Sequence, residues 1–132
     1  MSFSYDQTVL PPFPRLPVVV TLPESSARSP ALSGLVDTGA DATLVPAKQL
    51  QAIEAEEIYQ ARLRSHWGES RTAAVYLVDL QVAGYNLPGI EVLADDLTED
   101  VLLGRNALNR LILLLDGPAG QVDVLLKRPR RR

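Results

Sequence analysis

The chain has 132 residues, a net charge of −3 and 46% hydrophobic residues but only 5% aromatic ones. This length suits one domain with its own core, which must then be built from Leu, Val, Ile and Ala. The lack of cysteine excludes a disulfide scaffold, a thiolate metal site and a thiol nucleophile.

The opening Met1-Ser2-Phe3-Ser4-Tyr5-Asp6 has no basic cluster leading into an apolar run, so it does not read as a secretory signal. Leu111 to Leu115, the longest apolar stretch, is too short to cross a bilayer. A soluble, cytoplasmic protein with no membrane segment is expected. Six of the ten prolines, Pro11 to Pro30, crowd the start. Because proline lacks a backbone donor and blocks helix, residues 1–15 read as an irregular, Pro-rich segment. Val18 to Leu22 is β-branched and reads as a strand, and Glu24 to Pro30 as a polar loop. Ala31 to Val36 is a second strand. Pro46 opens a short helix, with Leu50 and Ile53 on one face.

Residues 58–65 and 72–83 read as two strands of a hairpin whose tip is His66-Trp67-Gly68-Glu69-Ser70. Gly84-Tyr85-Asn86 reads as a turn, Gly89 to Ala94 as a strand, and Asp95 to Asp100 as a solvated acidic loop. Val101 to Leu103 is a short buried strand, and Asn106 to Arg110 a short helix. Leu113 to Leu115 and Gln121 to Leu126 are strands split by a Gly117-Pro118 turn. The result is a mainly β domain over residues 16–126, a closed barrel or sandwich with one or two short helices. Residues 127–132 form a basic tail holding five of the 13 basic residues. The tail could touch an anionic partner, but the acidic body argues against general nucleic-acid binding.

One run carries candidate chemistry: Leu35-Val36-Asp37-Thr38-Gly39-Ala40. A carboxylate at the end of a buried strand is costly without partners. Thr38 offers a hydroxyl, and Gly39 lets another backbone approach closely. Those features suit a carboxylate exposed in a peptide-binding cleft, but equally a loop in which Asp37 caps a turn. A calcium loop starting at Asp37 fails, because its twelfth position is Lys48. His66 has no Cys and no second His to join it, so no metal site is expected.

Val101-Leu102-Leu103-Gly104-Arg105-Asn106-Ala107-Leu108 lies downstream. Together with Leu35 to Thr43, a hydrophobic pair followed by Asp-Thr-Gly-Ala-Asp-x-Thr, it resembles the retropepsin family of single-domain aspartic proteases. The resemblance implies that Asp37 is the catalytic carboxylate, supported by Thr38, Gly39 and Ala40. Thr38 would lock two copies of the loop across a dimer axis. Gly39, Asp41, Trp67 and Gly68 would contact substrate, with the hairpin tip acting as a flap, although its tip is poorer in glycine than the family's usual flap. Asp41 would pair with Arg105. No cofactor would be needed.

The chain holds a single Asp-Thr-Gly, so a second Asp37 would have to come from a second chain across a twofold axis. Two carboxylates so close would share one proton. The function implied is that of a homodimeric aspartic endopeptidase acting on peptide or protein substrates, with pockets favouring apolar side chains. Gln121 to Leu126 is the candidate interface strand. Ala40 stands where many two-lobed relatives have a hydroxyl, which implies a less acidic pH optimum than that of gastric-type enzymes. The rival reading is a non-catalytic domain of the same fold that dimerises or binds peptide. A phosphate-handling fold is disfavoured because no Gly-rich phosphate loop is present.

Overall fold

The computed structural model describes residues 1–64 and 68–130. Ten strands and two short helices follow in the order β1 (Ser2–Ser4), β2 (Arg15–Thr21), β3 (Leu32–Val36), β4 (Thr43–Pro46), α1 (Ala47–Ala52), β5 (Glu57–Arg64), β6 (Ser70–Val82), β7 (Tyr85–Asp95), β8 (Val101–Leu103), α2 (Arg105–Leu108), β9 (Ile112–Asp116) and β10 (Gln121–Leu125). The expected mainly β architecture is present.

Six strands close on themselves. The sheet runs β2-β3-β8-β4-β7-β6, and β6 pairs back onto β2 from Val18↔Val82 to Thr21↔Asp79. Closure leaves this ring no unpaired edge. Inside it lie Val18, Val20, Val36, Val45, Leu80, Val82, Val92, Val101 and Leu103, all buried. These are the aliphatic residues that the composition demands; the aromatic residues Phe3, Tyr5, Tyr76 and Tyr85 are only partly buried and pack against this core. Leu50 of α1 and the following Ile53 add to it, as do Ala107 and Leu108 of α2.

Sequence spacing understated the longest strands. Tyr85 and Asn86, expected in a turn, belong to β7, which pairs with β6 from Val82↔Tyr85 onward. The turn is only Ala83-Gly84, with φ of 51° and 86°. Two successive positive φ values make the tight hairpin connection whose twist matches its flanking strands, and glycine takes one of them at no steric cost. β6 is 13 residues long and has two partners. Val75 to Val82 pairs with β7, while Ser70 to Tyr76 pairs with β5. The β5–β6 hairpin therefore projects beyond the ring as a two-stranded arm.

A second, three-stranded sheet has the order β1-β10-β9. Residues 1–15 were expected to be irregular, yet Ser2–Ser4 pairs with β10 in the register Ser2↔Asp123 to Ser4↔Gln121. The prolines begin at Pro11, so this stretch keeps every backbone donor that a ladder needs. The same pairing revises the expectation for Gln121 to Leu126. β1 and β9 occupy both hydrogen-bonding edges of β10 within one chain. Among the described residues, the outer edges of this sheet belong to β1 and β9, and on β9 Leu114 and Leu115 are each 47% exposed. No helix among the described residues is long and apolar enough to cross a membrane.

Candidate active site

Asp37 follows the last residue of β3, and its amide donates to the Leu103 carbonyl at 3.1 Å. The parallel pairing of β3 with β8, Gly34↔Val101 to Val36↔Leu103, thus continues into the loop. The loop turns at once, with the Ala40 amide donating to the Asp37 carbonyl at 3.2 Å. The Gly39 amide donates to Asp37 Oδ1 at 3.0 Å. The carboxylate therefore does cap its own turn. Thr38 and Gly39 at the crown are exposed.

The loop is tied to α2 by a set of bonds centred on Arg105. The Arg105 amide donates to the Ala40 carbonyl at 2.8 Å, and Nη1 donates to the Thr38 carbonyl at 2.8 Å. Nη2 pairs with Asp41 Oδ1 at 2.5 Å, joining the two residues that the sequence suggested as partners. The Asp41 side chain is 89% exposed, so this ion pair contributes little on its own, at most about 1 kcal/mol. The bond to the Thr38 carbonyl is what holds the crown of the loop.

Beneath the loop, Thr43 and Gly104 form a contact that the sequence did not single out. Thr43 is fully buried. Its hydroxyl accepts from the Gly104 amide at 3.1 Å and donates to Asn106 Oδ1 at 2.7 Å. Asn106 Nδ2 in turn donates to the Glu91 carbonyl at 2.8 Å. A Cβ on Gly104 would lie 2.2 Å from the Ala42 carbonyl oxygen. Glycine is required there by the closeness of two backbones, since its φ of −88° is ordinary. Both residues stand in the two runs quoted from the sequence, Thr43 closing the first and Gly104 within the second, but nothing read along the chain pairs them.

Strand register reveals a further feature. Leu35 lies beside Leu102, Leu102 beside Leu44, Leu44 beside Leu93, Leu93 beside Val75, and Val75 beside Tyr59. Laterally paired residues point to the same face of a sheet. Leu93 and Val75 are buried, Leu35, Leu44 and Leu102 half-buried and Tyr59 exposed, and all six sit outside the main core cluster, which takes the alternate residues Val36, Leu103, Val45 and Val92. One apolar row thus crosses six strands on the outer face of the sheet, beginning two residues before Asp37. At its β3 end stands Arg15, beside Leu35. Arg15 Nε bonds Asp6 Oδ2 at 2.9 Å, and its Nη1 bonds Asp100 Oδ2 at 3.0 Å. Donation from the Thr8 hydroxyl and amide, with Arg15 in support, holds the Asp6 carboxyl below its ordinary range. At the other end the Tyr59 hydroxyl donates to Glu91 Oε2 at 3.1 Å. That bond is the largest cause pushing the Tyr59 phenol above its ordinary value.

The acidic loop 95–100 is mostly exposed and tied down by its own contacts. Asp95 accepts from the Leu97 amide and the Thr98 hydroxyl, and Glu99 pairs with Lys48 at 2.6 Å. A depression of about 340 Å³ beside it is lined by Pro46, Lys48, Asp95 and Glu99 among others, away from Asp37. No cluster of three metal-ligating side chains occurs among the described residues. His66 and Trp67 lie outside them. Gly68, at φ 81°, has nothing within 4 Å of where a side chain would stand.

Structural comparison finds the same fold in proteins of low sequence identity. A retropepsin-like aspartic protease from Rickettsia conorii matches with a TM-score of 0.63 at 14% identity, over 94% of this chain and 88% of its own. The Simian Foamy Virus (mac) protease matches with a TM-score of 0.54 at 22% identity, over 72% of this chain and 91% of its own. A foamy viral protease-reverse transcriptase, solved with an RNA/DNA hybrid, matches with a TM-score of 0.55 at 22% identity over 74% of this chain. The present chain covers only 12% of that longer protein. A search of curated protein sequences returned no match. The family model for the gag-polyprotein putative aspartyl protease matches residues 29–110, from the strand before Asp37 through α2. The chain is a member of that aspartyl protease family, with a retropepsin-like fold.

Proposed function

We propose that the chain is an aspartic endopeptidase that works as a homodimer, with Asp37 of each protomer supplying half of the catalytic site. The observation that carries this reading is the placement of Asp37. This half-buried residue stands at the foot of the exposed Thr38-Gly39 crown, in a loop held from behind by Leu103 and Arg105 and flanked by the outward apolar row. A residue that served only to cap a turn would need neither the bracing nor the apolar surface beside it.

Two carboxylates facing each other across a twofold axis share a single proton, because like charges at that distance do not both ionise. The ionised member takes a proton from a bound water. That water attacks the scissile carbonyl, while the protonated member hydrogen-bonds the developing oxyanion. A proton then passes to the leaving nitrogen. Gly39, lacking a side chain, leaves room for the substrate backbone. Leu35, Leu44 and Leu102 form the wall against which apolar substrate side chains lie, and Asp41 stands at the rim.

The partner docks along β9. An exposed, apolar edge strand is a hazard for a monomer, and two copies of one strand pairing antiparallel generate the twofold axis that the chemistry requires. The protease unit proposed takes in β1 as well as residues 16–126, with 127–130 and beyond as a tail.

The test is profiling of a peptide library with the wild-type chain and with Asp37→Asn, combined with solution mass. Cleavage by the wild type and its loss in a still dimeric Asp37→Asn supports the proposal. Undiminished cleavage by the variant refutes it. A stable dimer that binds peptides but cuts none points instead to a non-catalytic module.

A further inference from the structure

The arm formed by β5 and β6 has two chemically different faces, and register assigns every residue to one of them. Val75 belongs to the outer apolar row, so the residues on its face are the alternate ones, Ala73 and Arg71 on β6 and Tyr59, Ala61 and Leu63 on β5. They form three rungs: Tyr59 with Val75, Ala61 with Ala73, and Leu63 with Arg71. Ala61, Leu63 and Ala73 are half-buried. The middle rung pairs two small side chains and leaves a dip between larger ones. The opposite face carries Arg62 beside Thr72 and Arg64 beside Ser70, both arginines exposed.

Among the residues that the ladder places, Arg71 is therefore the one charged group on this face of the arm, at its outer rung. It lies four residues along β6 from Val75, about 13 Å at the usual strand rise. The guanidinium is exposed, and no ion pair joins it to Glu69 or to any other described acid. Glu91, which the ladder places on the same sheet face, is engaged by the Tyr59 hydroxyl at the base of the arm.

We infer that Arg71 is a specificity residue that selects an acidic side chain in the substrate, at a position flanking the apolar residues held by the leucine row. The inference rests on the proposed peptidase activity. A chain lying extended against Leu35, Leu102 and Leu44 has the Arg71 face of the arm as its neighbouring surface. Aspartate or glutamate reaching the outer rung would meet a planar, five-donor cation suited to carboxylate. Because the pair forms at an exposed site, its effect is modest, about a two- to fivefold enrichment.

The experiment is cleavage-site profiling with an unbiased peptide library at low and high salt. It compares the wild type with Arg71→Gln and Arg62→Gln, which make the same charge change on opposite faces of one hairpin. The expected result is a two- to fivefold enrichment of Asp and Glu at one subsite by the wild type, weaker at high salt. Arg71→Gln loses it and keeps the apolar preferences, while Arg62→Gln retains it. Cleavage with no acidic enrichment overturns the assignment of Arg71 and leaves the peptidase standing. So does an enrichment that survives Arg71→Gln, or one that falls equally with Arg62→Gln, which marks a general field. No cleavage by the wild type overturns both.

Discussion

Replacing Thr43 by valine and by serine separates two accounts of the loop's foundation. Valine keeps the volume and removes the hydroxyl, which orphans the buried Gly104 amide now held at 3.1 Å. An unsatisfied buried donor costs about 1–3 kcal/mol. Asn106 Oδ1 also loses its 2.7 Å partner. Asn106 is exposed enough to regain water, so that loss adds roughly 0.5–1 kcal/mol. The expected total is about 1.5–4 kcal/mol, or on the order of 10 °C in Tm for a chain of this size. Serine keeps both hydrogen bonds and gives up one buried methyl, costing about 1 kcal/mol. The assay is urea unfolding of the three proteins at a single protein concentration, because the proposed dimerisation would make apparent stability concentration-dependent. The expected order is wild type, then Thr43→Ser, then Thr43→Val. Should valine prove the more stable variant, Thr43 acts through packing, and the hydrogen-bond account is wrong.

Two glycines should respond differently to alanine. At Gly104 the new Cβ meets backbone at 2.2 Å, so unfolding measurements should register a loss of about 3 kcal/mol or more from overpacking. At Gly39 it meets only the Asp37 carboxylate, at 3.2 Å. Stability there should change by less than about 1 kcal/mol, while peptide cleavage falls. Asp6→Asn should lower stability near neutral pH. The native carboxyl is held low, so its contribution is present above the unfolded pKa and fades as pH falls through the native value. Unfolding midpoints of wild type and variant should therefore converge in acid, and a gap that persists there would contradict the assignment. Ala40→Ser should move the acid limb of the pH–rate profile to lower pH, because a hydroxyl donating to a carboxylate favours its charged form; an unmoved limb would show that position 40 does not reach the pair.

The readable parts of this sequence were those where chemistry is local. Asp37 with Thr38 and Gly39, and Gly104 with Arg105, are contiguous, and the pairing of Asp41 with Arg105 was implied by the family resemblance that the two runs carry. What escaped was set by register. Leu35, Leu44, Leu93 and Leu102 look like any buried aliphatics when read along the chain. Only the lateral pairing of β3, β8, β4 and β7 separates them from Val36, Val45 and Leu103, which face the core. β1 went unseen because composition marked the whole opening segment as proline-rich, although the prolines spare Ser2–Ser4. Gln121 to Leu126 was expected to be available to a partner. Whether a strand has a free edge depends on neighbours far away in sequence, here Ser2 and Leu114.

Strand β6 belongs both to the closed ring and to the projecting arm. Its inner half is clamped between β2 and β7, whereas its outer half has β5 alone. Melting of the outer half would break only the ladder between β5 and β6 and leave the ring's hydrogen bonds intact. Local opening of that outer half therefore costs only what one hairpin is worth, with the global stability held in reserve. The boundary between the two regimes falls in the middle of a single strand, close to Val75.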